Sequence, residues 1–220
     1  MSFGIPDDDS ESRSMVHTWP EDALATAALR TYVEQFAQDE GAKLEATGLD
    51  FRGADLRGLS LRGADFTSAR LDGVSFHGGL LNRADFSEAS VAGACFDEAE
   101  MIDTDLFSVS GERVTFVKAW LSGLDALDAN LKSANFSGAF LGGASFNGAD
   151  LEGSDLRDAR LERTFFVSSR LVDVHVEGMT GTLIGPCRLD EETGEVGDAE
   201  LQQWLRKRGA DITVVPVNPT

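Results

Sequence analysis

The side chains that could do chemistry are few and scattered. His17, His77 and His175 are the three histidines, Cys95 and Cys187 the two cysteines, and none falls at metal-ligand spacing or in a disulfide framework. The chain holds no GxxxxGK[ST], no GxSxG, and no GxGxxG after a strand pattern. Carboxylates are abundant, with 38 Asp and Glu against 19 Lys and Arg and a net charge of −19. Acid–base catalysis needs carboxylates whose pKa values are pushed apart in a desolvated pocket. Here they recur at regular, outward positions. No catalytic residue, metal site or cofactor is therefore assigned. The chemistry left to this charge is recognition: it repels nucleic acid and anionic lipid and favours a basic protein partner.

What positions these residues is a repeat of five. Among the 26 positions taken every fifth residue from Phe51 to Val176, nine are Phe and twelve are Leu, and only Gly111 and Ala126 are small. Two positions earlier in each unit, 14 of the 26 are Ala, and the residue between is Asp or Asn in ten units. The unit reads Ala-(Asp/Asn)-(Leu/Phe)-X-X without an insertion. A period of five fits neither a helix nor a strand. It fits a coil in which the central Leu or Phe and the small residue two before it point inward. One coil cannot bury that face, so coils must stack.

The phenylalanines set the turn. Eight of the nine central Phe are separated by multiples of ten, which demands an even number of units per turn. Two units are too tight to enclose side chains, so four units to a turn are expected. Phe76, Phe96, Phe116 and Phe136 then stack on one side and Phe66, Phe86, Phe146 and Phe166 on the opposite one. About 6.5 coils at roughly 4.8 Å make a tower about 31 Å tall.

Over residues 49–181 the chain resembles the pentapeptide-repeat family. The resemblance implies an all-β, right-handed, quadrilateral parallel β-solenoid, and the handedness comes from it alone. It also implies similarity to members that protect DNA gyrase and topoisomerase IV from drugs or toxins, in which an acidic rod occupies the DNA-binding saddle.

Coil ends need caps. Residues 1–17 are polar and acidic and read as a disordered tail. In 18–48, Thr18 and Glu21 form a capping box for a helix carrying Leu24, Ala28, Val33 and Phe36 to about Glu40, with Gly41 after it. In 182–220, Asp198 N-caps a second helix with Leu201, Trp204 and Leu205 on one face, and Asp211–Pro216 reads as a final strand. That helix is either a lid or, as the resemblance implies, a seam joining two subunits. The first residues lack the basic and apolar regions of a signal peptide, and no apolar run reaches the roughly 20 residues of a membrane helix. A cytoplasmic protein is expected.

Two outward columns stand out if the register survives Gly111. One stacks Asp65, Asp85, Asp105 and Asp125 about 5 Å apart, where neighbours in water repel by roughly 0.8 kcal/mol. These carboxylates either cap turns locally or imitate a phosphate backbone. The next column carries Leu80, Glu100, Trp120 and Phe140 with Ile102 beside them. Large apolar groups there are covered by a terminal segment or bind protein. Val109–Val114 weakens the core and is a candidate kink. Two functions follow: a non-catalytic DNA mimic acting on a type II topoisomerase, or an interaction scaffold or immunity protein using the apolar patch.

Overall fold

The computed structural model describes residues 16–190, 192 and 194–216. Its body is a β-solenoid made of single-residue rungs. Parallel bridges join residues 20 apart in four ladders, such as Glu45–Asp65–Asp85–Asp105–Asp125–Ser145–Phe165 and Ser60–Leu80–Glu100–Trp120–Phe140–Arg160. We call these the Asp65 and Trp120 ladders. The other two are the Asp50 ladder, running through Arg70 to Arg170 and then by a shorter step of 18 residues to Arg188, and the Asp55 ladder, running through Ser75 to His175. The ladder bonding begins before Leu49, at Glu45, where Ala46 N–H donates to the Asp65 carbonyl at 2.7 Å.

Most units close with a turn. Ala54 N–H donates to the Phe51 carbonyl, Ala69 to Phe66, Ala89 to Phe86, and so on along the chain. The third turn residue has positive φ, as in Gly53 (φ 81) and Gly148 (φ 68), which is the pattern of a type II turn. Fourteen non-glycine residues also take this position, among them Arg83, Glu88, Asp103 and Asp128, and none is β-branched. Left-handed backbone costs an ordinary residue roughly 1–2 kcal/mol, and a second branch at Cβ would add to that.

Inside, the central residues stack. Phe76, Phe96, Phe116 and Phe136 follow one another at ring distances of 4.9, 5.2 and 4.9 Å, nearly parallel. Phe66 and Phe86 stack at 4.9 Å, as do Phe146 and Phe166 at 5.2 Å. The two columns meet edge to face, as at Phe86 and Phe96. Gly111 leaves no break. Ser90–Ser110–Asn130 and Cys95–Thr115–Asn135 hold the four-unit step across it. A Cβ on Gly111 would stand 3.1 Å from both Val91 and Leu131, so the neighbours above and below already fill its place.

The ends depart from expectation in their caps. Helix α1 spans Ala23–Phe36. Its N-cap is Asp22, whose carboxylate accepts from Leu24 and Ala25 N–H at 2.9 and 2.8 Å. Thr18 is instead tied to the solenoid: its N–H and that of His17 donate to the Asp55 carbonyl, and Asp55 N–H donates to the Thr18 carbonyl. Those bonds fix Thr18 in an antiparallel bridge and rule it out as a cap. The helix consequently buries Ala25, Leu29 and Tyr32, while Leu24 is 68% exposed. The remainder of the expected tail, residues 1–15, lies outside the described residues.

At the other end β1 (Arg160–Phe165), β2 (Thr180–Gly185) and, later in the chain, Asp211–Pro216 form a parallel sheet in that order. Between them come the short hairpin of β3 (Cys187–Arg188) and β4 (Glu195–Val196), helix α2 (Asp198–Lys207), and then Asp211–Pro216 as β5. The N-cap of α2 is Gly197, with no side-chain bond, so Asp198 begins the helix instead of capping it.

Candidate protein-binding faces

The Asp65 ladder carries the outward residues Glu45, Asp65, Asp85, Glu88, Asp105, Asp125 and Asp128, seven carboxylates, and no Lys or Arg between Glu45 and Ser168. The other three ladders mix their charges. On the Asp50 ladder Arg52 pairs with Asp50 at 2.7 Å, and Lys132 and Arg170 pair with both Asp150 and Glu152. On the Asp55 ladder Arg57 pairs with Asp55 and Arg157 with Asp155, each at 2.5 Å. The Trp120 ladder balances Arg62, Arg83, Arg160 and Arg163 against Glu100, Asp103 and Glu162. The repeat therefore segregates charge by ladder.

The stacked aspartates also have a local task. Asp65, Asp85, Asp105 and Asp125 each accept, through Oδ1, the backbone N–H two residues on, at 2.9, 2.8, 2.7 and 3.1 Å. Asn135 makes the same bond to Ser137 N–H at 2.9 Å. The first three are half-buried and Asp125 is exposed. Hydroxyl and backbone donors from Thr67, with Thr47 reaching Asp65 Oδ2, hold the Asp65 carboxyl below the usual carboxylate range. Turn capping and an outward charge thus coexist in one side chain.

The sequence reading missed a second solution to the same problem. Where the residue before the centre is not Asp or Asn, the turn N–H can be met from the preceding coil. Asp72 accepts from Ala92, Asn82 from Ile102, Asp97 from Val117 and Asn147 from Val167, each 20 residues on. The signal was present as Asp or Asn one position after the centre, one coil ahead of a unit lacking its own cap.

The apolar patch is smaller than the sequence implies. Leu80 is 3% exposed, and so it leaves the list of outward binding residues. Its ladder neighbour Ser60 is buried too, and its carbonyl accepts the Tyr32 hydroxyl of α1, so the helix covers this part of the ladder. Burial pushes the Tyr32 hydroxyl up to about 12. Trp120 remains 55% exposed and Ile102 39%, and Phe140 is half-buried with its ring 5.6 Å from that of Trp120. Gly142 lies beneath Phe140, where a Cβ would stand 3.1 Å from the ring. Phe107 and Leu127, each 37% exposed, add apolar surface within the acidic ladder.

The expected dimer residues differ in their burial. Leu201 and Leu205 are fully buried in the chain's own core, where they close the last coil. An interface through them would have to open that core. Trp204 is half-buried under the Arg208 guanidinium at 4.0 Å. Among the described residues no group of three His, Cys, Asp or Glu side chains could hold a metal, and no helix is long and apolar enough to cross a membrane. Burial raises the Cys187 thiol to about 12, which leaves it a poor nucleophile.

A family model described as pentapeptide repeats matches in eight copies, over residues 47–83, 69–101, 112–148 and 127–163. Similar solved structures include QnrB1, a plasmid-mediated fluoroquinolone resistance protein, at 15% identity over 80% of this chain and 92% of that one, with a TM-score of 0.35. Rfr23 from the cyanobacterium Cyanothece 51142 is 21% identical over 74% of this chain and 100% of its own, with a TM-score of 0.37. HetL from Nostoc sp., involved in heterocyst differentiation regulation, is 23% identical over 79% and 83%, with a TM-score of 0.20. At TM-scores below 0.5 these likenesses carry no argument about this chain. No curated protein matches the chain.

Proposed function

Because the chain belongs to the pentapeptide-repeat family and gathers carboxylates without basic neighbours on one ladder, we propose that it is a non-catalytic acidic rod that binds a basic protein surface in place of DNA. DNA gyrase or topoisomerase IV is the partner this reading names, with protection or modulation of that enzyme as the outcome. The rod is four-sided, of about 6.5 coils, closed at both ends by helical segments, and works in the cytoplasm without a cofactor.

The observation that carries the reading is the charge density of the Asp65 ladder. Its carboxylates run from Glu45 to Asp128 over five rungs. Four steps of roughly 4.8 Å make about 19 Å. One DNA strand carries a charge per roughly 3.4 Å, or about six over that length, and the duplex about eleven. Seven carboxylates therefore match one strand. The test replaces Asp85, Asp105 and Asp125 together by Asn, which keeps the turn bond that Asn135 already makes at an equivalent place and removes three charges. Gyrase binding at low salt, and the effect on supercoiling, should fall at least several-fold in this variant and weaken in the wild type as salt rises. Equal activity of the triple variant and the wild type would end the reading.

A second reading rests on Trp120. An indole left more than half exposed beside Phe140 favours a scaffold or immunity protein that docks a partner on the Trp120 ladder. Under it, Trp120→Ser with Phe140→Ser removes binding and the Asn variant keeps it.

A further inference from the structure

A concavity lies between the chain leaving α1 and the first rungs of the Trp120 ladder. It measures about 510 Å³ and brings together Lys43, Arg62 and Arg83 with Gly63, Asn82 and Ile102. Small-molecule sites occupy roughly 300–1,000 Å³. Some rung arginines are neutralised at short range, as in Arg52–Asp50 and Arg157–Asp155, while Arg113, Arg160 and Arg163 form no ion pair among the described residues. Here, among the described residues, neither Lys43 nor Arg83 forms an ion pair with a carboxylate, and Arg62 has only Glu100, at 3.9 Å.

Two carboxylates, Glu40 and Asp103, line the concavity as well. Asp103 directs Oδ1 over Gly123 of the following rung, 2.5 Å from where a Cβ would stand. Glu100 accepts from the Asn82 amide at 3.4 Å. Glu40 stays exposed at the rim. Gly63, with φ +64, leaves room for the lysine: a Cβ there would lie 3.0 Å from Lys43 Cε and 3.3 Å from its Nζ. Ile102 supplies an exposed apolar wall.

We infer that this groove binds a small, soluble phosphate monoester, with Arg62, Arg83 and Lys43 around the phosphoryl oxygens and Ile102 against the organic group. Guanidinium forks match phosphate oxygens in pairs, and an ammonium adds a point charge. A net charge of −19 repels anions at long range, so a dianion with three acceptor oxygens is held only where cations converge locally. A monocarboxylate brings one charge and two oxygens and uses the site poorly. This inference is independent of the acidic ladder and of any topoisomerase.

Calorimetric titration at constant ionic strength tests it, with phenyl phosphate, inorganic phosphate, acetate, and phosphatidic acid vesicles as separate probes. Phenyl phosphate should bind saturably at about 1 mM or tighter, more strongly than inorganic phosphate or acetate. Arg83→Gln and Lys43→Gln should each weaken it by about tenfold with unchanged melting temperature, and Arg163→Gln, higher on the same ladder, should leave it intact. The inference falls if no probe saturates, if acetate binds as well as phenyl phosphate, or if both groove variants bind like the wild type. It also falls if Arg163→Gln is equally damaging, or if only the vesicles bind.

Discussion

The Asp65 and Trp120 ladders share one backbone and differ in nearly everything they show to solvent. Both advance by one coil per rung, close most units with the same turn, and rest on buried central residues. Yet one is lined with carboxylates and the other carries aromatics and balanced charge. The difference teaches that the solenoid constrains two inward positions in five and the turn conformation, and leaves the rest free. Because equivalent positions recur once in every coil, selection can write a different surface on each ladder without touching the core.

The largest expected effects test the shared interior. Phe86→Ala under the acidic ladder should cost about 3–5 kcal/mol and Leu141→Ala under the Trp120 ladder about 2–5 kcal/mol in denaturant unfolding. Phe86 stacks on Phe66 and meets Phe76 and Phe96 edge to face, so it cannot collapse without disturbing both columns. If one ladder tolerated its truncation, the two would not share a cooperative core.

The next comparison concerns the turns. Gly148 and Gly143 have nearly the same φ, 68 and 69, on the acidic and Trp120 ladders respectively. A Cβ on Gly148 would meet Asp128 Oδ1 at 2.1 Å, whereas on Gly143 the nearest atom is 4.0 Å away. Gly143→Ala should therefore show the backbone strain alone, roughly 1–2 kcal/mol, and Gly148→Ala more. Introducing Asp128→Ala should bring Gly148→Ala back to the Gly143 value, a relief that thermal melts of the double variant would detect.

Smaller effects separate charge from capping. Asp105→Ala strands the Phe107 N–H and should cost about 1 kcal/mol, while Asp105→Asn should cost less. Trp120→Ser should change stability little, since more than half of the ring is in water. The smallest effect is that of acid. The Asp65 carboxyl is held below its ordinary value, so its stabilisation is complete above the unfolded pKa of about 3.9 and is lost as pH falls through the lower folded value. NMR titration should place its midpoint below the usual range, and Thr67→Val should move it upward. A midpoint at the ordinary value would mean that the turn donors do not favour the charged form.

The sequence determined the repeat because burial acts on every coil alike. An inward residue must be apolar wherever it falls, so its period recurs unit after unit and even the Phe columns can be read from spacing. It also located the acidic column, since ladder neighbours are simply four units apart. The ends and the exceptions were decided by tertiary structure. Thr18 carries a capping signal, but its peptide group is taken by Asp55; Leu80 looks outward, but α1 crosses its ladder; Leu201 and Leu205 look like a seam, but they close the last coil. Each of these depends on one contact made once between distant segments. A periodic pattern cannot encode such a contact, and only the folded chain brings its two sides together.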